Sequence, residues 1–272
     1  MSTPFFSARD AAVDAAKAAA HLIRQHAGRA RDLAVRQKAV HDLVTEIDEA
    51  AQGIIIEHLQ AAFPAYEVLA EEGTDEAAMQ PIAEGFRWII DPIDGTTNFM
   101  HGVPPYAISI ALQHKAEIVV AVVYEISRNE LFTAVRGHGA YVNGEAIRVS
   151  QAATLQDSLL TTGFPYRSFG HIDLYLDVLR HLFKEARGVR RPGVASVDLA
   201  YVACGRFDGF FETGLRPWDV AAGSLLVEEA GGRVSDYSDG ERPYFDQQVL
   251  ATNGPMHSAM LEVLEGMRDR RD

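Results

Sequence analysis

The chain has 272 residues, 47% of them hydrophobic, with 38 Asp and Glu against 25 Lys and Arg and a formal net charge of −13. This length and apolar content suffice for a large core, in one domain or two closely joined halves, while the acidic balance disfavours general affinity for nucleic acid or an anionic membrane. Cys204 is the single cysteine, which excludes an intrachain disulfide and fits a reducing compartment.

The segment Met1 to Asp10 has no basic leader followed by an apolar run, and residues 7 to 27 place Ala, Val, Leu and Ile at helical spacing, with Gly28 as the stop. Beyond Leu33, Val35, Arg36 and Lys38, the segment Asp42-Leu-Val-Thr-Glu-Ile-Asp48 leads into a second amphipathic helix that ends near Pro64, with Asp48 in its first turn. Val68 to Gly73 reads as a short strand with Glu71 and Glu72 at its exit, and Thr74 to Glu84 as a polar loop or short helix.

Residues 88 to 98, Trp-Ile-Ile-Asp-Pro-Ile-Asp-Gly-Thr-Thr-Asn, carry the most chemistry. Trp88, Ile89 and Ile90 form the continuous apolar run of a strand buried on both faces. Pro92 has no N–H to pair, so Asp91 is expected at a strand end. Gly95 permits a left-handed turn before Thr96, Thr97 and Asn98 open a helix. Asp91 and Asp94, so close together, repel unless a cation lies between them. Carboxylate and carbonyl donors without neighbouring Cys or His favour Mg²⁺ or Mn²⁺ over Zn²⁺. Free N–H groups of Gly95, Thr96 and Thr97 suit a phosphate. Asp-Pro-x-Asp-Gly is also the composition of a plain surface turn, but the apolar run entering it favours the metal reading.

Further on, Ala107–Leu112, Ile118–Glu125 and Leu131–Val135 are β-rich, and Asn143-Gly144 marks a tight hairpin. The run Ile118 to Tyr124 is the longest strongly apolar stretch, at seven residues. Spanning a bilayer takes roughly twenty, so a cytoplasmic protein is expected. Residues 171 to 186 return to helical spacing with Leu174, Leu176, Leu179, Leu182 and Phe183 as a core or dimer surface. Ser196 to Ala203 is predicted as a helix, Phe207 to Glu212 as a strand, Trp218 to Ala230 as a helix closed by Gly231 and Gly232, and Val249–Thr252 and Met256–Met267 as a last strand and helix. No repeat or low-complexity tract divides the chain. Strands in blocks between helical blocks favour an α+β, mixed α/β architecture.

The segment Asp91-Pro-Ile-Asp-Gly-Thr-Thr-Asn-Phe99 resembles the first signature of the inositol monophosphatase family. Asp42–Asp48, Ala70-Glu-Glu-Gly73 and Pro217–Gly232 are similar to that family's other blocks, in the same order. The resemblance spans nearly the whole chain. It implies a layered αβαβα sugar-phosphatase fold, one unit of two packed halves with residues 1–150 binding metal and 151–272 binding substrate. It also implies a homodimer, Mg²⁺-dependent hydrolysis of a small phosphorylated polyol, and sensitivity to Li⁺. By the same resemblance Glu71, Asp91 and the Ile93 carbonyl bind a first Mg²⁺, while Asp91, Asp94 and Asp219 bind a second. Glu71 reaches a third ion. Thr96 and Asp48 orient and deprotonate the attacking water, with Glu71 also catalytic. Gly95 and Thr96 form the phosphate-binding turn, and Asp94, Gly193, Ala195, Glu212 and Asp219 face the substrate alcohol.

Val194 departs from the small hydroxyl residue common at its position, which weakens inositol as the substrate but leaves the hydrolytic centre intact. Fructose-1,6-bisphosphate, histidinol phosphate and 3′-phosphoadenosine phosphate are the alternatives. The last is disfavoured because nucleotidase relatives carry Lys where Thr97 stands. A catalytically silent metal- or phosphate-binding protein acting through a partner is the competing class. His101 is expected to be structural or peripheral, Cys204 a small core residue, and Arg190 and Arg191 either flank an anionic substrate or form surface pairs.

Overall fold

In the computed structural model, residues 4–27, 35–39, 42–74, 79–164, 169–240, 243–245 and 247–267 are described. Helix α1 (Pro4–His26) buries Ala8, Ala12, Ala15, Ala16, Ala19, Ala20 and Ile23, a stripe at three- and four-residue spacing whose small side chains allow close packing. A short antiparallel hairpin of β1 (Val35–Ala39) and β2 (Asp42–Thr45) follows. It passes directly into α2 (Glu46–Ala62), which buries Ile47, Ala51, Ile55 and Leu59 every fourth residue. Gly28 and Leu33 lie outside the described residues.

A seven-stranded sheet comes next, in the order β3 (Glu67–Ala70), β4 (Phe86–Asp94), β5 (Ala107–His114), β6 (Glu117–Glu125), β7 (Glu130–Val135), β8 (Ala140–Val142) and β9 (Glu145–Ala146). Only β3 and β4 run parallel; the remaining neighbours are antiparallel. Asn143 and Gly144 both take positive φ in the β8–β9 turn, as the sequence predicts. The short helix α3 (Thr96–His101) leaves the end of β4.

The second sheet has the order β11 (Gly188–Arg190), β10 (Leu159–Thr162), β12 (Gly209–Thr213), β14 (Gln248–Thr252) and β13 (Arg233–Ser235). Its first three strands are parallel and its last two pairings antiparallel. Helices α4 (Ile172–Glu185), α5 (Ala195–Ala203), α6 (Pro217–Glu229) and α7 (His257–Val263) connect and flank it.

Side-chain alternation along the strands sorts these elements into layers. Trp88 and Ile90 of β4, with Ile108, Ile110 and Leu112 of β5, pack on α1 and α2. Ile89, Ala111, Ala121 and Val123 point through the opposite face onto α5 and α6. The far side of those helices meets Phe210, Val249 and Ala251 of the second sheet. The outer face of that sheet presents Leu160, Phe211 and Leu250 to α4 and α7. The architecture is therefore mixed α/β in five layers, αβαβα. Every residue of α5 is buried, and so are Trp218, Val220, Ala221, Ala222, Leu225, Leu226 and Val227 of α6. Helices buried on all sides must lie between two packed surfaces, and each large apolar side chain so buried contributes about 1.5–3 kcal/mol.

Two expectations, on β4 and on Cys204, need correction. Strand β4 does not stop at Asp91: it runs through Pro92 to Asp94, with the register against β5 shifting between Asp91 and Asp94. Pro92 removes a ladder donor, and the chain accommodates this with a bulge and keeps the strand. The stripe of residues 171 to 186 is split. Tyr175, Val178, Leu179 and Leu182 are buried, whereas Leu176 and Phe183 are exposed. Cys204 follows α5 as its cap residue and is only partly buried.

Candidate active site

The bulge of β4 is where the predicted acids gather. At the bulge the Asp91 carboxylate turns back and its Oδ1 accepts the Ile93 N–H at 3.0 Å, closing the bend around Pro92. Gly95 then adopts φ 89° and ψ 39° as the residue before α3. A β-carbon there would fall 2.6 Å from Val194 Cγ2, so both the left-handed turn and the close approach of Val194 require glycine.

Each remaining acid arrives on its own support. Glu71 follows β3, and its N–H donates to Ile90 O at 3.0 Å, extending the parallel pairing beyond the strand end. Gln52 of α2 clamps the next residue: its Nε2 donates to Glu72 O and its Oε1 accepts the Glu72 N–H, both at 2.9 Å. Asp219 stands in the first turn of α6, where its Oδ2 accepts the Arg216 N–H at 2.7 Å, a reach-back that caps the helix start. Ser109 of β5 donates to Trp218 O at 3.0 Å and fixes that start against the first sheet. Asp94 Oδ2 accepts the Ser196 N–H at 2.7 Å, so a carboxylate from the first sheet occupies the N-terminus of α5.

Electrostatics shows that these supports converge. Burial raises the Asp91 carboxyl well above the usual range, and Glu71, Asp94 and Asp219 each raise it further; a hydrogen bond to Glu71 adds to the effect. Burial likewise lifts Asp94 to about 6 even though Ser196 and the Ala195 N–H favour its charged form. Among the described residues, no three His, Cys, Asp or Glu side chains are spaced to hold an ion as they stand. Asp91 and Glu71 are joined by a hydrogen bond, which two carboxyls make only by sharing a proton. The donor set is oxygen-only and suits a hard divalent cation.

Beside the acids, the Thr96 hydroxyl lies 3.0 Å from Asp48 Oδ1 and 3.1 Å from the Ile93 carbonyl. Asp48 is fully buried in the first turn of α2. The predicted pair is therefore in contact, although its members are separated by 48 positions in the chain.

The second half of the chain closes the site. Glu212 of β12 is 8% exposed and is pushed up to about 8, by burial first and by Asp219 next, with Arg191 opposing. Gly193 takes φ 83°, and Val194 and Ala195 are buried at the start of α5. Val194 packs against Gly95. The Arg191 guanidinium lies 5.2 Å over the exposed Phe164 ring, while Arg190 is exposed with its Nη1 on Val189 O. His101 ends α3 exposed to solvent, and the Lys38 side chain lies outside the described residues.

Sequence reasoning missed several contributors. Gln52 stands four residues after Asp48, hence on the same face of α2, a signal that was available. In the sequence, Asn98 stands out only as part of the helix opening. Its Nδ2 donates to Pro105 O and Pro192 O, both at 2.9 Å, and ties the α3 turn to the second half. The Ser196 amide has no sequence signal, because a backbone donor is available at nearly any residue. Asp198 of α5 is fully buried and raised well above the usual range, by burial and then by Glu212; nothing in its helical pattern set it apart.

Comparison with known proteins agrees with this geometry. Residues 7–268 match the Inositol monophosphatase family. Nus factor SuhB of Escherichia coli K12 is 43% identical over 95% of this chain and 94% of its own length. Inositol-1-monophosphatase of Rhizobium meliloti is 44% identical over 88% of each. Among solved structures, the extragenic suppressor protein suhB of Bartonella henselae superposes with a TM-score of 0.87 at 39% identity, covering 94% of this chain and 97% of that one. The Thermotoga maritima IMPase gives 0.85 at 36%, covering 96% and 97%. With its five layers, its acids gathered at the β4 bulge and a match along nearly its whole length, this chain belongs to the inositol monophosphatase family and is a phosphoric monoester hydrolase.

Proposed function

We propose that the site hydrolyses the phosphate ester of a small polyol, inositol monophosphate first, to the free polyol and phosphate, with Mg²⁺ as cofactor and Mn²⁺ as a substitute. The observation that carries this reading is the convergence of Glu71, Asp94 and Asp219 on the buried Asp91, with the Thr96–Asp48 contact alongside. Glu71, Asp91 and the Ile93 carbonyl would hold one ion, and Asp91, Asp94 and Asp219 another; Glu71 would reach a third. When bound, such ions supply Lewis-acid stabilisation of the phosphoryl group and its leaving oxygen, and make water more acidic.

The chain's own groups do the rest. Thr96 orients the attacking water through its hydroxyl and relays the proton to Asp48, which is why Thr96 need not act as a nucleophile. Gly95 and Thr96 offer N–H groups to the phosphoryl oxygens as charge develops there. On the alcohol side, Glu212 accepts hydroxyls of the polyol, with Asp94, Asp219 and the Gly193 and Ala195 backbone around it. Residues 1–150 supply the metal side and 151–272 the substrate side of one unit, which we read as a homodimer in the cytoplasm, inhibited by Li⁺.

A substrate panel under Mg²⁺ tests this, with released phosphate measured for inositol monophosphate, fructose-1,6-bisphosphate, histidinol phosphate and 3′-phosphoadenosine phosphate. Highest kcat/KM on inositol monophosphate supports the assignment; equal rates on all four, or preference for another, defeats it. The second reading, a role exerted through a protein partner, is favoured by the relatives that carry the name Nus factor. Mg²⁺ binding by calorimetry, with no hydrolysis of any tested ester, would revive that reading.

A further inference from the structure

Gly163 follows strand β10 and is buried. A β-carbon built on it would overlap Oε1, Cδ and Oε2 of Glu212, far inside van der Waals contact. Its φ is not positive, so its backbone conformation is open to any residue, and space alone demands glycine here. The backbone around it is held in place. The Gly163 carbonyl accepts the Tyr175 hydroxyl from α4, and the Thr162 hydroxyl lies 2.6 Å from Phe211 O and 3.2 Å from Gly163 O. Thr162 and Tyr175 are themselves buried. An added methyl group would therefore push on the movable end of Glu212, since the clamped strand cannot recede.

We propose that Gly163 sets specificity: its bare Cα is the seat on which the Glu212 carboxylate rests in reach of substrate hydroxyls, and any side chain there displaces that carboxylate without touching the hydrolytic centre. Gly163 is thus a positioning residue that acts through Glu212. The inference rests on the reading of Glu212 as the polyol contact and extends it to a residue that does not touch the substrate.

The test compares Gly163→Ala, Glu212→Ala, Glu212→Asp and the double variant Gly163→Ala/Glu212→Asp, each in the full chain with Mg²⁺. Two probes are used: inositol monophosphate, and p-nitrophenyl phosphate, whose leaving group has no hydroxyl for Glu212 to accept. Losing hydrogen bonds to the Glu212 carboxyl should raise KM for inositol monophosphate roughly ten-fold or more in Gly163→Ala. The kcat should change little, as for a contact made equally in ground and transition states, and turnover of the aryl phosphate should stay at the wild-type level. The shorter Asp clears the overlap, so the double variant should have a KM no higher than that of Glu212→Asp alone.

A raised KM in Glu212→Ala but not in Gly163→Ala overturns the role of Gly163 and leaves the polyol reading standing. No change in Glu212→Ala overturns both. Equal loss on both probes in Gly163→Ala means a structural role and also overturns the proposal. If Gly163→Ala fails to fold, the double variant decides: folding with the KM of Glu212→Asp upholds the overlap, and failure to fold refutes it.

Discussion

Replacing Asp94 by Asn should abolish phosphate release and at the same time stabilise the metal-free protein. Asp94 is 9% exposed, and its carboxyl is raised from 3.8 to about 6 in the folded chain. A folded-state pKa above the unfolded one means that the group's contribution to stability is complete below about pH 3.8 and is lost as pH rises through about 6. Above that, the buried charge costs about 3 kcal/mol, from a shift of roughly two units at 1.36 kcal/mol each. Asn keeps an oxygen for the Ser196 N–H and carries no charge. In chelator at pH 8 the variant should therefore melt on the order of 5 °C above wild type, and the gap should close towards pH 4. Saturating Mg²⁺ should reverse the order. At about a thousand times Kd it adds about 4.1 kcal/mol, more than that lead, to a protein that binds it, and Asp94→Asn binds it poorly. Thermal melts at pH 4, 6 and 8, with chelator and with Mg²⁺, measure all of this. A metal-free Asp94→Asn that melts below wild type at pH 8, or one that turns over ester at the wild-type rate, would refute the reasoning.

Three further outcomes follow from the same geometry. Gln52→Ala removes both 2.9 Å bonds to the Glu72 backbone; calorimetry should show weaker Mg²⁺ binding, and denaturant titration a loss of about 1–3 kcal/mol. Thr96→Val deletes the hydroxyl beside Asp48 and Ile93 O. The kcat should fall by about 10²-fold or more if Thr96 relays the proton, while a loss confined to KM would assign it to binding alone. Gly95→Ala meets Val194 and an unfavourable φ together, which should cost about 1–3 kcal/mol. Adding Val194→Ala should recover the steric part and leave the backbone part, so full recovery in the double variant would show that the left-handed turn carries no strain.

Much of the fold was legible where a local pattern reports a long-range fact. The alanine stripe of α1 and the four-residue spacing of α2 specify a one-sided helix, and the helices α5 and α6 were legible as helices, though not their place between two sheets. The hairpin of β1 and β2 and the strands β10, β11 and β13 did not emerge. They have five residues or fewer, so no period declares itself, although the equally short β3, β12 and β14 were recognisable from their apolar residues. Pro92 misled in the opposite sense: a strand rule ended β4 early, while the bulge kept it running to Asp94.

The candidate site divides along the same line. Asp91, Asp94, Gly95 and Thr96 lie within six residues, so the segment alone specified two repelling acids, a left-handed turn and a hydroxyl. That Glu71, Asp48 and Asp219 meet them was decided by the parallel pairing of β3 with β4, by the seating of α2 and by the start of α6. These are contacts across tens of residues, for which no local spacing codes. The Ser196 amide at Asp94 and the bare Cα of Gly163 under Glu212 are further still from the sequence. A backbone donor and an unfilled space have no side chain to announce them, and only the packed chain gives them a place.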